Sequence, residues 1–357
     1  MQATLANWRS SPFNRWAFHH VRELIPSADI ANDPRHIREL PADKRQLDLD
    51  AFLAETDTDG MAILHRGKLV FEHYANGMTD ATPHILMSVS KSMLGLLCEI
   101  LAEKGVLDLH RPVDEIVPEV AATAYRGAAI RHLLDMRAGI SWDEDYLATS
   151  GPIVEYRKAT GWNPGGQVAD LHSFYANLKQ ADGPHGGRFH YTSPNSDLLG
   201  WVIERATGAR YADLLSELIW KPAGAERSAY ITVDRLGAPR CAGGMCVTLR
   251  DLARVGLWVL EQGGTERFER EGDPKVWAAG DLASYYPGLP MRYRSKWYVL
   301  DGKEPLAFGM GIHGQNLFVD RVNGLVIAKL SSQAMPMDAA RITLTMRGIA
   351  ELRKRLA

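Results

Sequence analysis

Strand-forming patterns sit at the two ends of this chain and helix-forming patterns fill the stretch between them. No other feature restricts the fold as much. The first strand signal is MAILHRGKLVFEHYANG, Met61 to Gly77. Two β-prone runs, 62–65 and 68–74, flank Arg66-Gly67 in a hairpin pattern. The last is NLFVDRVNGLVIAKLSS, Asn316 to Ser332, where Asn323-Gly324 is a strong short-range turn cue between β-prone runs. A basic amphipathic helix is expected over roughly 338–355. In the middle, residues 89–104, VSKSMLGLLCEILAEK, are good helix formers, and Gly105 is placed to end the helix. SDLLGWVIERATG and TLRDLARVGLWVLEQGG also read as helices that stop at glycine. The simplest architecture is one sheet built from both termini, with a large helical insertion. That gives an α/β part from 1–85 and 300–357 and a mainly helical part from 86–299. The junction between them is the natural place for a cleft.

Composition narrows the function classes. The chain has 357 residues, 46% hydrophobic and 24% charged, enough for a sizeable core. A formal net charge of −2 gives no reason to expect nucleic acid or an anionic membrane as partner. Three cysteines, Cys98, Cys241 and Cys246, form neither a disulfide framework nor a C-x-x-C pair. A reducing compartment suits them. The opening MQATLANWRSSPFNRWAFHHVRELIPSADI lacks the pattern of a secretory signal, and no window offers the ~18 apolar residues of a membrane span. A cytoplasmic protein is the expectation.

The chemistry starts at HILMSVSK. Ser88 and Lys91 are the S-x-x-K pair of this chain, and their spacing puts both side chains on one helix face, a turn apart. A serine hydroxyl is a poor nucleophile until a nearby base takes its proton. A lysine serves as that base only when burial and neighbours depress its pKa. Met93, Leu94, Leu96, Leu97, Ile100 and Leu101 surround Lys91 with apolar bulk, so burial is expected. At a helix N-terminus the Ser88 N–H is also placed to hold an oxyanion. The plainer reading makes Ser88 a helix cap and Lys91 a solvated first-turn residue.

Two further stretches bear on that choice. In GRFHYTSPNSDLLGW, Tyr191 and Ser193 form Y-x-S just ahead of a helix, with Asn195 next. A Tyr191 phenolate beside a lysine ammonium could act as a base at neutral pH. The same residues also suit a turn and a helix cap. In LAFGMGIHGQNLFVD, Gly309, Gly311 and Gly314 spell the dinucleotide fingerprint G-x-G-x-x-G. That fingerprint must follow a strand and open a helix within a βαβ unit. Here a strand, a turn and another strand follow, so the glycines read instead as a place of close backbone approach.

Taken in order, S-x-x-K, Y-x-S and a glycine-bearing strand near the C-terminus resemble the serine β-lactamase and penicillin-recognising superfamily. The resemblance is strongest to its 6-aminohexanoate-dimer hydrolase branch, through PFNRWAFHHVRELIP, SVSKSMLGLL, SWDEDY, YTSPNSDLLGW, LRDLARVG and GIHGQNLFVD. It implies an α+β, class C β-lactamase-like fold with an antiparallel sheet flanked by helices. It implies a serine hydrolase of linear amides or carboxylic esters, with a β-lactamase or penicillin-binding D,D-peptidase as the alternative. Ser88 then resembles the acylated nucleophile, Lys91 its base and Tyr191 the proton shuttle. The oxyanion hole resembles the N–H groups of Ser88 and Ile312. Tyr146, Arg157, Trp162, Ser193, Asn195 and His313 fall at the substrate side, the last two bordering the motifs as supports. No cofactor or metal is implied. The partner implied is a small-molecule amide or ester, and a homodimer stays open.

The departures carry information. Arg157 stands where this branch's efficient dimer hydrolases have an aspartate that grips a substrate ammonium, and a guanidinium there repels that cation. An anionic or neutral substrate follows. The K-T-G lysine of β-lactamases is replaced by Gly309, Met310 and Gly311, which argues against strong penicillinase activity. Ser193 takes the place of the asparagine of Y-x-N.

Overall fold

A computed structural model describes residues 2–163, 165 and 169–357. Eleven strands are named among them. Ser27–Ile30 is β1, Thr58–His65 β2, Lys68–Tyr74 β3 and His84–Ile85 β4. Ala229–Thr232 is β5, Met245–Val247 β6, Met291–Arg294 β7 and Trp297–Leu300 β8. Leu306–Gly311 is β9, Gln315–Asp320 β10 and Leu325–Ser331 β11. The main sheet is antiparallel, in the order β3-β2-β11-β10-β9-β8-β7. Strands from both ends of the sequence therefore meet at its centre, where β2 pairs with β11.

Alternation along each strand gives this sheet two buried faces. Met61, Ile63, Phe318 and Ile327 pack with Ile349, Leu352 and Leu356 of the C-terminal helix. Ala62, Leu64, Leu317, Val319, Val326 and Ala328 face the larger core. That core holds the helices Val89–Glu103 (α1), Pro194–Thr207 (α3) and Leu249–Glu261 (α4). Pro152–Ala159 (α2) stands near the cleft, and Ala339–Leu356 (α5) closes the chain. Helix α1 is buried nearly all round, with Glu103 its single exposed residue. It ends as the sequence predicts. Gly105 has φ 70°, its N–H bonds to Ala102 O, and the Val106 N–H bonds to Leu101 O.

The first hairpin also matches its pattern, with Arg66 and Gly67 both at positive φ between β2 and β3. The second differs. The loop between β10 and β11 spans four residues, 321–324, and only Gly324 has positive φ. Asp320 accepts hydrogen bonds from the Asn323 backbone N–H and from Asn323 Nδ2, so the asparagine anchors the loop rather than forming a two-residue turn. The sheet also begins earlier than residue 300, because β7 and β8 join it at the edge.

A second, four-stranded sheet has the order β1-β5-β6-β4. Its strands are two to four residues long, too short to show alternation in sequence. Its last strand, β4, leads directly into Ser88. His84 on β4 places its Nε2 3.2 Å from Asp59 of β2, which ties the segment ahead of α1 to the main sheet.

Candidate active site

Ser88 heads α1 at the bottom of a cleft between the main sheet and the helical part. Lys91, one turn on, is 1% exposed. Its Nζ donates to Ser88 Oγ at 2.9 Å and to Ala242 O at 2.6 Å. Loss of water around the ammonium pushes the Lys91 pKa down to about 7. Glu144 and Asp197 oppose that shift, and Arg240 adds to it. The plain reading of Lys91 as a solvated residue is excluded by this burial.

The lysine's position is itself built. Asp197 on α3 accepts from the Ala242 N–H at 2.7 Å and forms a buried ion pair with Arg240. The Tyr156 hydroxyl also bonds to Asp197. Asp197 therefore holds the residue whose carbonyl holds Lys91. Glu144 braces the opposite wall, where Ser193 donates to it through Oγ at 2.5 Å and through its N–H at 2.9 Å.

Tyr191 is 3% exposed, with the Lys91 ammonium 5.1 Å from its ring centre. The expectation of a phenolate base fails here. Burial raises the Tyr191 pKa, and the neighbouring hydroxyls of Ser88 and Tyr298 do not offset it. A buried phenol beside a lysine that is itself easily neutral keeps its proton.

The C-terminal glycines make the third wall. Gly311 ends β9, and a Cβ built on it would lie 2.9 Å from Ser88 N and 2.6 Å from Leu86 O. A Cβ on Gly309 would lie 2.7 Å from Ser92 Oγ. Glycine is required because the strand backbone presses directly on the head of α1. The Ile312 N–H follows at once. Neither it nor the Ser88 N–H is taken up by a hydrogen bond among the described residues. Each is flanked by a non-glycine residue in the left-handed region: Met87 with φ 45° before Ser88, and His313 with φ 62° after Ile312. Such conformations cost about 1–3 kcal/mol each and persist where the surroundings impose them.

The cleft beside Ser88 has Tyr146, Tyr191, Tyr285, Tyr298, Met310 and Ile312 in its wall. A smaller cavity opens from the same serine toward Arg9, Tyr146, Arg157, Trp162, Ser193 and Arg240. Six of the residues singled out in sequence thus share the walls around Ser88: Tyr146, Arg157, Trp162, Tyr191, Ser193 and Ile312. Trp162 is fixed there by its Nε1–H bond to Thr232 Oγ1 at 3.1 Å. Asn195 is not in either wall. It is buried in the first turn of α3, where its Oδ1 accepts from the Tyr125 hydroxyl at 2.8 Å. His313 lines only an outer groove. Burial pushes its pKa down to about 4, so the ring is neutral, and Nδ1 donates to Gln333 O at 2.7 Å. Asn195 and His313 support the motifs they border.

Sequence reasoning missed Arg9, Glu144, Asp197, Arg240 and the Ala242 carbonyl. A backbone carbonyl has no residue signature, and the Asp197–Arg240 pair spans 43 residues. SWDEDY contains Glu144, but nothing local separates it from the acids beside it.

A family model described as beta-lactamase matches residues 46–350. The chain belongs to the beta-lactamase family. It is 35% identical over 354 residues to the 6-aminohexanoate-dimer hydrolase of Paenarthrobacter ureafaciens, covering 94% of this chain and 89% of that one. As a beta-lactamase family member it is a hydrolase of the serine β-lactamase and penicillin-binding kind, similar to that enzyme. Among solved structures, a Bacillus anthracis protein assigned as a 6-aminohexanoate-dimer hydrolase superposes with TM-score 0.90 at 24% identity, covering 100% of this chain and 98% of that one. A class C β-lactamase from Rhodobacter sphaeroides superposes with TM-score 0.55 at 17% identity, covering 85% and 97%. These two establish the fold, including its class C likeness. Among the described residues, no helix is long and apolar enough to cross a membrane.

Proposed function

We propose that the chain is a serine hydrolase that cleaves a linear amide or a carboxylic ester through an acyl-Ser88 intermediate. One observation carries this reading. The Lys91 Nζ lies 2.9 Å from Ser88 Oγ, in surroundings that hold the amine near neutrality at pH 7.

The steps follow from the geometry. Ser88 Oγ attacks the substrate carbonyl carbon while its proton passes to the neutral Lys91 amine. The carbonyl oxygen gains the negative charge and turns toward the N–H groups of Ser88 and Ile312. Collapse breaks the bond to the leaving nitrogen or oxygen, which takes a proton from the Tyr191 hydroxyl. Lys91 returns the proton to Tyr191. Water then attacks acyl-Ser88 as Lys91 takes its proton, and Lys91 passes that proton to Ser88 Oγ as the acyl–oxygen bond breaks and the acid product leaves. Tyr191 is thus a donor that is re-protonated, which agrees with its raised pKa. Esters should turn over faster than amides, because an alkoxide leaves more easily than an amine.

The β-lactamase or D,D-peptidase reading has less support. The strand beside Ser88 carries Gly309, Met310 and Gly311, so it offers no cation for a lactam carboxylate. Hydrolysis of p-nitrophenyl esters by wild type and by Ser88→Ala tests the proposal. Loss of ~10³-fold or more in kcat supports it, since removing an activated nucleophile has effects of that order. Full activity in the variant rejects it. A chromogenic cephalosporin run in parallel separates the two readings.

A further inference from the structure

The smaller cavity beside Ser88 holds an unbalanced set of charges. Arg240 is paired with Asp197, so its charge is spoken for. Arg9 and Arg157 pair with no carboxylate among the described residues. Arg157 donates to Ala148 O at 2.9 Å and Asp145 O at 3.0 Å, both neutral acceptors. The terminal nitrogen of Arg9 reaches only the Asn163 side-chain oxygen, and its buried Nε has no partner. The guanidinium lies 5.6 Å from the ring centres of both Trp8 and Trp162. Loss of water, then repulsion from Arg157 and Arg240, pushes the Arg9 pKa down to about 9. An arginine is kept in such surroundings at a cost unless an anion completes them.

Glu144 lines this cavity too and acts on Arg157, but it forms no ion pair with Arg9 or Arg157 among the described residues, and with Asp197 paired to Arg240 the arginines remain in excess. Both oxygens of Glu144 accept from Ser193, and Oε2 also accepts from the Trp142 indole N–H. Asp145 is exposed and accepts from the Leu147 N–H.

The direction of the cavity identifies which half of a substrate enters it. The larger cleft contains Tyr191, the proton donor to the leaving group, and the smaller one does not. Both share Ser88, Glu144, Tyr146 and Ile312. The leaving group therefore occupies the larger cleft, and the acyl chain that stays on Ser88 points into the smaller one. We propose that Arg9 and Arg157 form an acyl-side carboxylate subsite, so that the substrates are half-amides or half-esters of dicarboxylic acids. The aromatic faces of Trp162 and Tyr146 would line the methylene chain between the two carboxyl groups. This rests on the acyl-Ser88 reading above and adds the charge of the acyl group to it.

The test compares three p-nitrophenyl esters: the adipic acid half-ester, the neutral hexanoate and a 6-(trimethylammonio)hexanoate. The expected order of kcat/KM places adipate first, by about tenfold or more over hexanoate, as a charge-assisted pair implies. In Arg9→Gln the adipate-to-hexanoate ratio should fall about tenfold, and Arg9→Lys should restore part of it. Arg157→Asp should lower the ratio further and raise the trimethylammonio ester relative to adipate. A wild-type ratio at or below one overturns the proposal, as does a ratio that Arg9→Gln leaves unchanged. Ester hydrolysis that persists in Ser88→Ala rejects the underlying reaction instead, so the two failures are distinct.

Discussion

Gly311 and Ser88 are in backbone contact: a Cβ on the glycine would stand 2.9 Å from the serine nitrogen. This contact links the C-terminal strand to the N-terminus of α1, and Ser88 and Ile312 both line the cleft beside it. Gly311→Ala should push β9 off the head of α1. We expect a loss of ~10²-fold in kcat, the size seen when one oxyanion donor is displaced. Overpacking should add about 1–3 kcal/mol of destabilisation. Ester kinetics and a denaturant midpoint measure the two effects separately, and an alanine variant with unchanged kcat would remove Ile312 from the site.

Burial of Lys91 sets a pH dependence. The amine must be neutral to accept the Ser88 proton, so kcat/KM on a neutral ester should rise with pH through about 7 and then level off. A profile that is flat from pH 6 to 8 would contradict the role of Lys91.

The same shift bears on stability. Below about pH 7 the folded and unfolded states both hold the Lys91 proton, and the fold bears a buried charge. Between about 7 and the usual lysine value of 10.5 only the unfolded chain holds it, so this group's contribution to stability grows as pH rises. Lys91→Met should therefore melt higher than wild type at pH 6, with the gap narrowing toward pH 10. Comparing the two proteins at each pH cancels the titration of buried thiols such as Cys98 and Cys246.

Tyr191→Phe should separate amides from activated esters. A p-nitrophenolate leaves without a proton and an amine does not. We expect amide hydrolysis to fall ~10²–10⁴-fold, the range for loss of a general acid, and p-nitrophenyl ester hydrolysis to fall by less than about tenfold. Equal losses on both substrates would assign Tyr191 to positioning rather than to proton delivery.

Asp197→Ala tests the support behind the lysine. It leaves Arg240 buried without its partner and frees Ala242, so the expected cost is about 3–5 kcal/mol in unfolding free energy. A near-neutral unfolding midpoint would show that Ala242 is held by other means.

Much of this was legible in the sequence because it depends on local chemistry. The hairpin at Arg66-Gly67, the helix ending at Gly105 and the Ser88–Lys91 spacing each need only a few neighbouring residues. What was not legible depends on burial and on distant pairing. Tyr191 carries a tyrosine's chemistry in any sequence, and only the folded surroundings show that its phenol keeps the proton. Arg9 lies in a segment with no motif, and Asn195 sits one turn from residues of the cleft wall yet faces Tyr125. The short strands β1 and β5 pair across about 200 residues, a distance at which periodicity says nothing.

The central claim is that Ser88 becomes acylated. Its most direct measurement is the intact mass of the protein after exposure to a fluorophosphonate, with the modified peptide then mapped. A single adduct is expected on the peptide containing Ser88, formed faster above pH 7 than below it, with no adduct in Ser88→Ala. An unmodified wild-type protein, or equal labelling of Ser88→Ala, would contradict it.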